Sequence, residues 1–152
     1  MEIRTEINNK MKEAMRNKDQ VALSTIRLIM AALKDRDITA RGTGKAEGIA
    51  DSEILSMLQS MMKQRNESSA TYEDAGRMDL ADREKAEIVV IESFMPKQLS
   101  EDEIKAAVKA KIKETKADSV RDMGKVMAAL KADYAGKFDM GRASALVKEA
   151  LA

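Results

Sequence analysis

Arg65 falls on a helical stripe that is otherwise uncharged: Ile54, Leu58, Met61, Arg65, Ser68 and Tyr72 recur at alternating steps of four and three. The next helical pattern carries the reciprocal anomaly, with Glu84 and Glu87 on a stripe shared with Leu80, Ile91 and Phe94. A cation on one inner face and two carboxylates on the next predict a semi-buried ion-pair cluster of Arg65, Glu84 and Glu87. Stranding either sign there would cost about 3–5 kcal/mol. The chemical alternative is a carboxylate pair that holds a metal or serves as acid and base. Two carboxylates with no further ligand in the pattern favour the structural reading.

Composition narrows the chemistry further. The 152 residues include no Cys, no His and no Trp, so a disulfide, a Cys/His zinc site, a thiol nucleophile and a histidine proton relay are all excluded. No catalytic residue, metal site or cofactor is expected. Arg41-Gly42-Thr43-Gly44-Lys45-Ala46 resembles a phosphate loop only superficially. It lacks the first glycine, the Ser/Thr after the lysine and a preceding strand, so the segment reads as a flexible connection. The methionines, Met57, Met61, Met62, Met123, Met127 and Met140 among them, suit either ordinary packing or an adaptable binding groove, and most stand at core spacing.

The remaining candidates are cations near the C-terminus. Lys+Arg 27 against Asp+Glu 26 leaves no overall field, but residues 1–95 hold 15 basic and 17 acidic side chains and residues 96–152 hold 12 and 9. On the sixth helical pattern Lys125 points away from the inner stripe. Arg142 and Lys148 flank the outer side of the seventh, while Lys131 and Lys137 bracket the turn at Gly136. Five cations could gather at one end of the molecule, either as a solvated face or as a phosphate-binding surface.

Seven helices and no strand would position these groups. Ile3, Ile7, Met11 and Met15 mark the first; Asp19 caps a second carrying Ala22, Ile26, Ile29 and Leu33, antiparallel to the first. Residues 39–51 are glycine-rich and read as a mobile loop. Asp51 is the expected cap of a third helix ending near Ala75 with Gly76 beyond it, and Asp79 is expected to open the fourth. Pro96, the only proline, closes it and marks a boundary between subdomains over 1–95 and 96–152. Ser100 and Glu103 form a capping box before a fifth helix with Ile104, Val108 and Ile112. Ser119 is the expected cap of a sixth with Val120, Met123, Met127, Leu130 and Tyr134 inward, and Asp139 of a seventh with Met140, Ala143, Val147 and Leu151 inward. The expected fold is all-α: an N-terminal helical hairpin or bundle, then a small three-helix bundle. An acidic amino terminus without an apolar run gives no signal peptide, and no stretch approaches a membrane span, so the expected location is the cytoplasm with no membrane partner.

Asp122-Met123-Gly124-Lys125-Val126-Met127, then Gly136, then Leu146-Val147-Lys148-Glu149-Ala150-Leu151 resemble the signature of the YqeY family. Lys63-Gln64-Arg65, Ala75-Gly76-Arg77 and Met95-Pro96-Lys97-Gln98-Leu99-Ser100 continue the resemblance along nearly the whole chain. Phe94-Met95 departs from the family's usual Tyr-Leu before the proline. The resemblance implies an all-helical, two-part fold similar to a C-terminal tail of the aspartyl/glutamyl-tRNA amidotransferase, the GatB/YqeY domain, which holds tRNA while catalysis happens elsewhere. It therefore implies tRNA contact at Lys125, Lys148 and the basic turn after Gly136, and a noncatalytic tRNA-binding or tRNA-enzyme accessory role. The implied partners are tRNA and a tRNA-aminoacylation or amidotransferase enzyme, with no DNA. A carbon–nitrogen ligase label with glutamine as amide donor would follow from kinship alone, since no amidase segment or nucleotide loop is visible. A helical protein–protein adaptor is the alternative from a different class.

Overall fold

The computed structural model describes residues 2–152 and is all-α, with seven α-helices and no strand among those residues. They are α1 (Ile3–Arg16), α2 (Gln20–Gly42), α3 (Asp51–Asp74), α4 (Met78–Glu92), α5 (Glu101–Thr115), α6 (Met123–Tyr134) and α7 (Met140–Leu151), with a 3-10 turn at Val120–Asp122. Two compact units divide the chain, Met1–Met95 and Pro96–Ala152.

In the first unit α1 packs against α2 and α3 lies along α4, around a core that includes Ile7, Ile26, Ile29, Ile54, Met57, Leu58, Ile91 and Phe94. Ala14, not Met15, completes the inner face of α1, and Met15 is half exposed. A strict four-residue step advances about 400° and so drifts about 40° each time, which carries Met15 off the face by the third step. Asp19 caps α2 as the sequence predicts, its carboxylate accepting from Ala22 N–H at 3.1 Å. Asp51 is the first helical residue of α3 and Ala50 is its N-cap, so Asp51 contributes charge at the helix start rather than a cap. Gly76 follows α3 at φ 75, left-handed as expected. Arg77, not Asp79, precedes α4; Asp79 lies in the first turn and holds Arg77 through two hydrogen bonds.

The expected loop over 39–51 is shorter than its glycines suggest. α2 continues to Gly42 because Ala40 remains on the buried stripe, and the segment that follows is anchored at its far end. Asp37, buried on the same stripe, takes both guanidinium nitrogens of Arg4 at 2.6 and 2.8 Å and the Ile49 backbone N–H at 2.9 Å. Arg4 also donates to Ile49 O at 2.8 Å, so one carboxylate ties α1, α2 and the approach to α3 together. Gly48, at φ 86, lies so close that a Cβ there would collide with the Asp37 carboxylate.

The second unit closes around Val108, Val126, Leu130, Phe138, Ala143 and Val147. The capping box forms as predicted, Glu103 N–H to Ser100 Oγ at 3.2 Å and Ser100 N–H to Glu103 Oε1 at 3.1 Å. Ser119 does not cap a helix: the chain first makes the 3-10 turn, whose different pitch shifts the phase of α6. Val120 is therefore exposed, and Val126 supplies the fully buried contact that the expected stripe omits. Asp139 caps α7 through Gly141 N–H at 3.1 Å, and Leu146 joins the expected inner residues. Gly136, at φ 77, turns the chain between α6 and α7, and its carbonyl accepts from Gln98 Nε2 at 2.6 Å.

The Asp37 clasp has a pH signature. The Arg4 guanidinium and the Ile49 amide, acting against burial, pull its carboxyl down to about 2. Unfolded Asp protonates near 3.9, so the unfolded chain binds the proton first; the contribution is full above about pH 4 and is lost as pH falls toward 2. Asp37→Asn should lower the unfolding free energy by about 2 kcal/mol near neutrality. Urea unfolding of both proteins across the acid range should show the gap closing below about pH 4. A gap that stays constant into strong acid contradicts the clasp.

Candidate functional site

Where a helix buries a charge, its partner decides what the charge can do. Arg65 Nε donates to Glu87 Oε2 at 2.9 Å with both side chains largely enclosed, 13% and 12% exposed, and Arg65 Nη1 donates to the Met61 carbonyl at 3.2 Å. Glu87 accepts a second cation, Arg83, at 3.2 Å from one turn earlier on α4. Glu84 is half-buried and makes no ion pair with Arg65, so in place of the expected Arg65, Glu84 and Glu87 the cluster is Arg65–Glu87–Arg83. One carboxylate between two guanidinium groups is charge-saturated. Among the described residues no group of three or more acidic side chains is placed to hold a metal.

The methionines that packing and groove readings contested lie in the cores. Met57 is buried, Met61 and Met62 pack against the first core, and Met123, Met127 and Met140 pack against the second.

The five C-terminal cations divide by partner. Arg142 is engaged: its Nε and Nη2 reach across to the Glu101 carboxylate at the start of α5 and hold that carboxyl below its ordinary range. Lys137 is half-buried, with its ammonium 5.7 Å from the centre of the Tyr134 ring, and its carbonyl accepts from Leu99 N–H at 2.8 Å. Lys125 is exposed and only grazes Asp122 at 4.0 Å. Lys131 and Lys148 are exposed and form no salt bridge among the described residues. Lys125, Lys137 and Arg142 each meet a different partner, Asp122, the Tyr134 ring and Glu101, so these three share no common group. Lys125, Lys131 and Lys148 are left with their charge available to solvent.

Two features leave little trace in the sequence. Lys111, among the alternating lysines of α5, is buried and donates to Glu114 at 2.9 Å and to Asp133 of α6, which keeps it protonated well above the usual lysine range. Its one signal is a lysine between Val108 and Ile112 on the inner side of the helix. The second is a groove of about 650 Å³ between α5 and α7, lined by Val108, Ile112 and Leu146 below and by Lys105, Lys109 and Arg142 at its edge. Residues distant in sequence make it, so no local pattern announces it.

Fold and side chains together define a class: a two-unit, all-helical protein whose small C-terminal three-helix unit leaves exposed cations, Lys131 and Lys148 among them, with no salt bridge among the described residues. The family model described as Yqey-like protein matches residues 4–151, and the chain belongs to the YqeY family. It is also 31% identical over 126 residues to "Altered inheritance of mitochondria protein 41, mitochondrial" of Pyrenophora tritici-repentis (strain Pt-1C-BFP), a match spanning 80% of this chain and 67% of that protein. No helix among the described residues is long and apolar enough to cross a membrane.

The ion-pair geometry generates a double-mutant test. Arg65→Ala should destabilise by about 2–4 kcal/mol, because Glu87 would keep only a half-exposed partner. Arg65→Met combined with Glu87→Leu should cost less, since no enclosed charge is then stranded. Equal losses by thermal and urea unfolding would make the pair a surface contact in energetic terms.

Proposed function

We propose that this protein is a noncatalytic, cytoplasmic tRNA-binding accessory of a tRNA-aminoacylation or amidotransferase enzyme, and that its C-terminal unit makes the RNA contact. The observation that carries the reading is the set of exposed cations on α6 and α7, Lys131 and Lys148 with no salt bridge among the described residues and Lys125 with only the 4.0 Å approach to Asp122, in a unit whose buried or bridging cations are neutralised. It is supported by the family's resemblance to the tRNA-holding tail of the amidotransferase. Lys137 extends the surface at the Gly136 turn. Arg142 joins it only by leaving Glu101. Phosphate contacts from flexible lysines position RNA without reading sequence, so binding is weak and general among tRNAs. A carbon–nitrogen ligase activity would have to be supplied by the partner enzyme.

Gel shift with total tRNA tests this. Neutralising about three phosphates gives a log–log salt slope near −3, so affinity should fall roughly 50-fold between about 50 and 200 mM salt. Lys125→Glu with Lys148→Glu should weaken all tRNAs alike and flatten that slope while circular dichroism stays helical. If the double variant holds tRNA as tightly as the parent at low salt, the lysines are a solvated face and the reading fails.

A further inference from the structure

We infer that Gln98 is a positioning residue for the RNA contact: with the Leu99 amide it fixes the turn that carries Lys137, and so makes Lys137 the pre-organised anchor of the phosphate-binding surface. The inference rests on the tRNA reading above and adds which lysine is held and by what. Lys137 lies between α6 and α7, and connecting segments are ordinarily more mobile than the helices they join. Here the peptide groups on both sides of Lys137 are tied down. The Gly136 carbonyl before it accepts from Gln98 Nε2 at 2.6 Å. The carbonyl of Lys137 accepts from Leu99 N–H at 2.8 Å, and its N–H donates to the Tyr134 carbonyl at 3.0 Å.

The clasp is itself held in place. Gln98 Nε2 spends its other hydrogen on the Pro96 carbonyl at 3.0 Å, so the amide cannot swing away without losing both bonds. Leu99 packs against the second core, and Phe138, the residue after Lys137, is buried in it. Gly136 is buried at φ 77, a conformation that a residue with a Cβ resists. The ammonium end has a neighbour as well, the Tyr134 ring at 5.7 Å, and that ring leans on Phe138 with centroids 5.8 Å apart. Lys131 and Lys148 have no such hold. Each is an exposed side chain on a helix surface, ordered only when a phosphate arrives, and that ordering is subtracted from affinity. A phosphate contact from Lys137 loses less.

The test is a mutant cycle on the full chain, read by binding of total tRNA across salt. Lys137→Ala should weaken binding about fivefold and make the salt slope shallower by about 0.9. Gln98→Met keeps the length of the side chain and removes its donor. It should give most of that loss and the same change of slope. Gln98→Met combined with Lys137→Ala should bind no more weakly than Lys137→Ala alone, because the glutamine acts through the lysine. In the free protein, hydrogen exchange at the Leu99 and Lys137 amides should speed up in Gln98→Met while the amides of α5 keep their protection, which separates a loosened turn from an unfolding unit. The inference is overturned if either single variant binds like the parent, if the two losses add, or if α5 loses protection along with the turn. In each of those cases a loss of tRNA from Lys125→Glu with Lys148→Glu leaves the wider reading standing. A parent protein that does not shift tRNA at low salt overturns both.

Discussion

Charge that crosses a helix seam must be paired, and Asp37 shows how far this constraint shapes the molecule. Its carboxylate is buried on the inner stripe of α2, where an unpaired ion would be strongly disfavoured. Arg4 and the Ile49 amide together satisfy it, and that requirement fixes where α1 lies, how far α2 runs and where the chain enters α3. Gly48 is needed at the same place because any side chain would occupy the space of the carboxylate. The same logic recurs across α3 and α4 at Arg65–Glu87, across α5 and α6 at Lys111–Asp133, and between α5 and α7 at Arg142–Glu101.

Such pairs matter here because the cores are aliphatic. With two Phe, two Tyr and no Trp, the chain has few large shapes to lock helices in one register, and Leu, Ile and Met tolerate neighbouring arrangements. Ion pairs at the seams penalise a slipped register, since each slip would strand a charge. Pairing also sorts the cations by role. Those that bridge helices are committed to structure, whereas Lys125, Lys131 and Lys148 on α6 and α7 are left to meet something else.

Much of this is legible in the sequence, and the exceptions have physical reasons. The all-helical pattern, the Ser100–Glu103 box and the left-handed Gly76 and Gly136 turns follow from local rules that act within a few residues. Arg65 against Glu87 can be anticipated because a charge on an apolar stripe is visible in one helix at a time. Arg83 cannot, since a neighbour one turn away on the exposed side breaks no pattern. Asp37 carries the same signal as Arg65, continuing Ile26, Ile29 and Leu33 toward Ala40, but the nearby glycines point to a loop and mask it. Val126 is hidden because a 3-10 turn resets the helical phase. The α5–α7 groove exists only once two distant helices are packed.

The central claim is that the cations divide between those spent on the fold and those free for a partner. Amine-reactive footprinting of the full chain, read lysine by lysine with and without tRNA, tests that division directly. Lys111 should be slow to react in both samples, while Lys125, Lys131 and Lys148 should react quickly alone and become protected by tRNA. Lys111 reacting as fast as those three, or the three keeping their reactivity in saturating tRNA, would contradict the account.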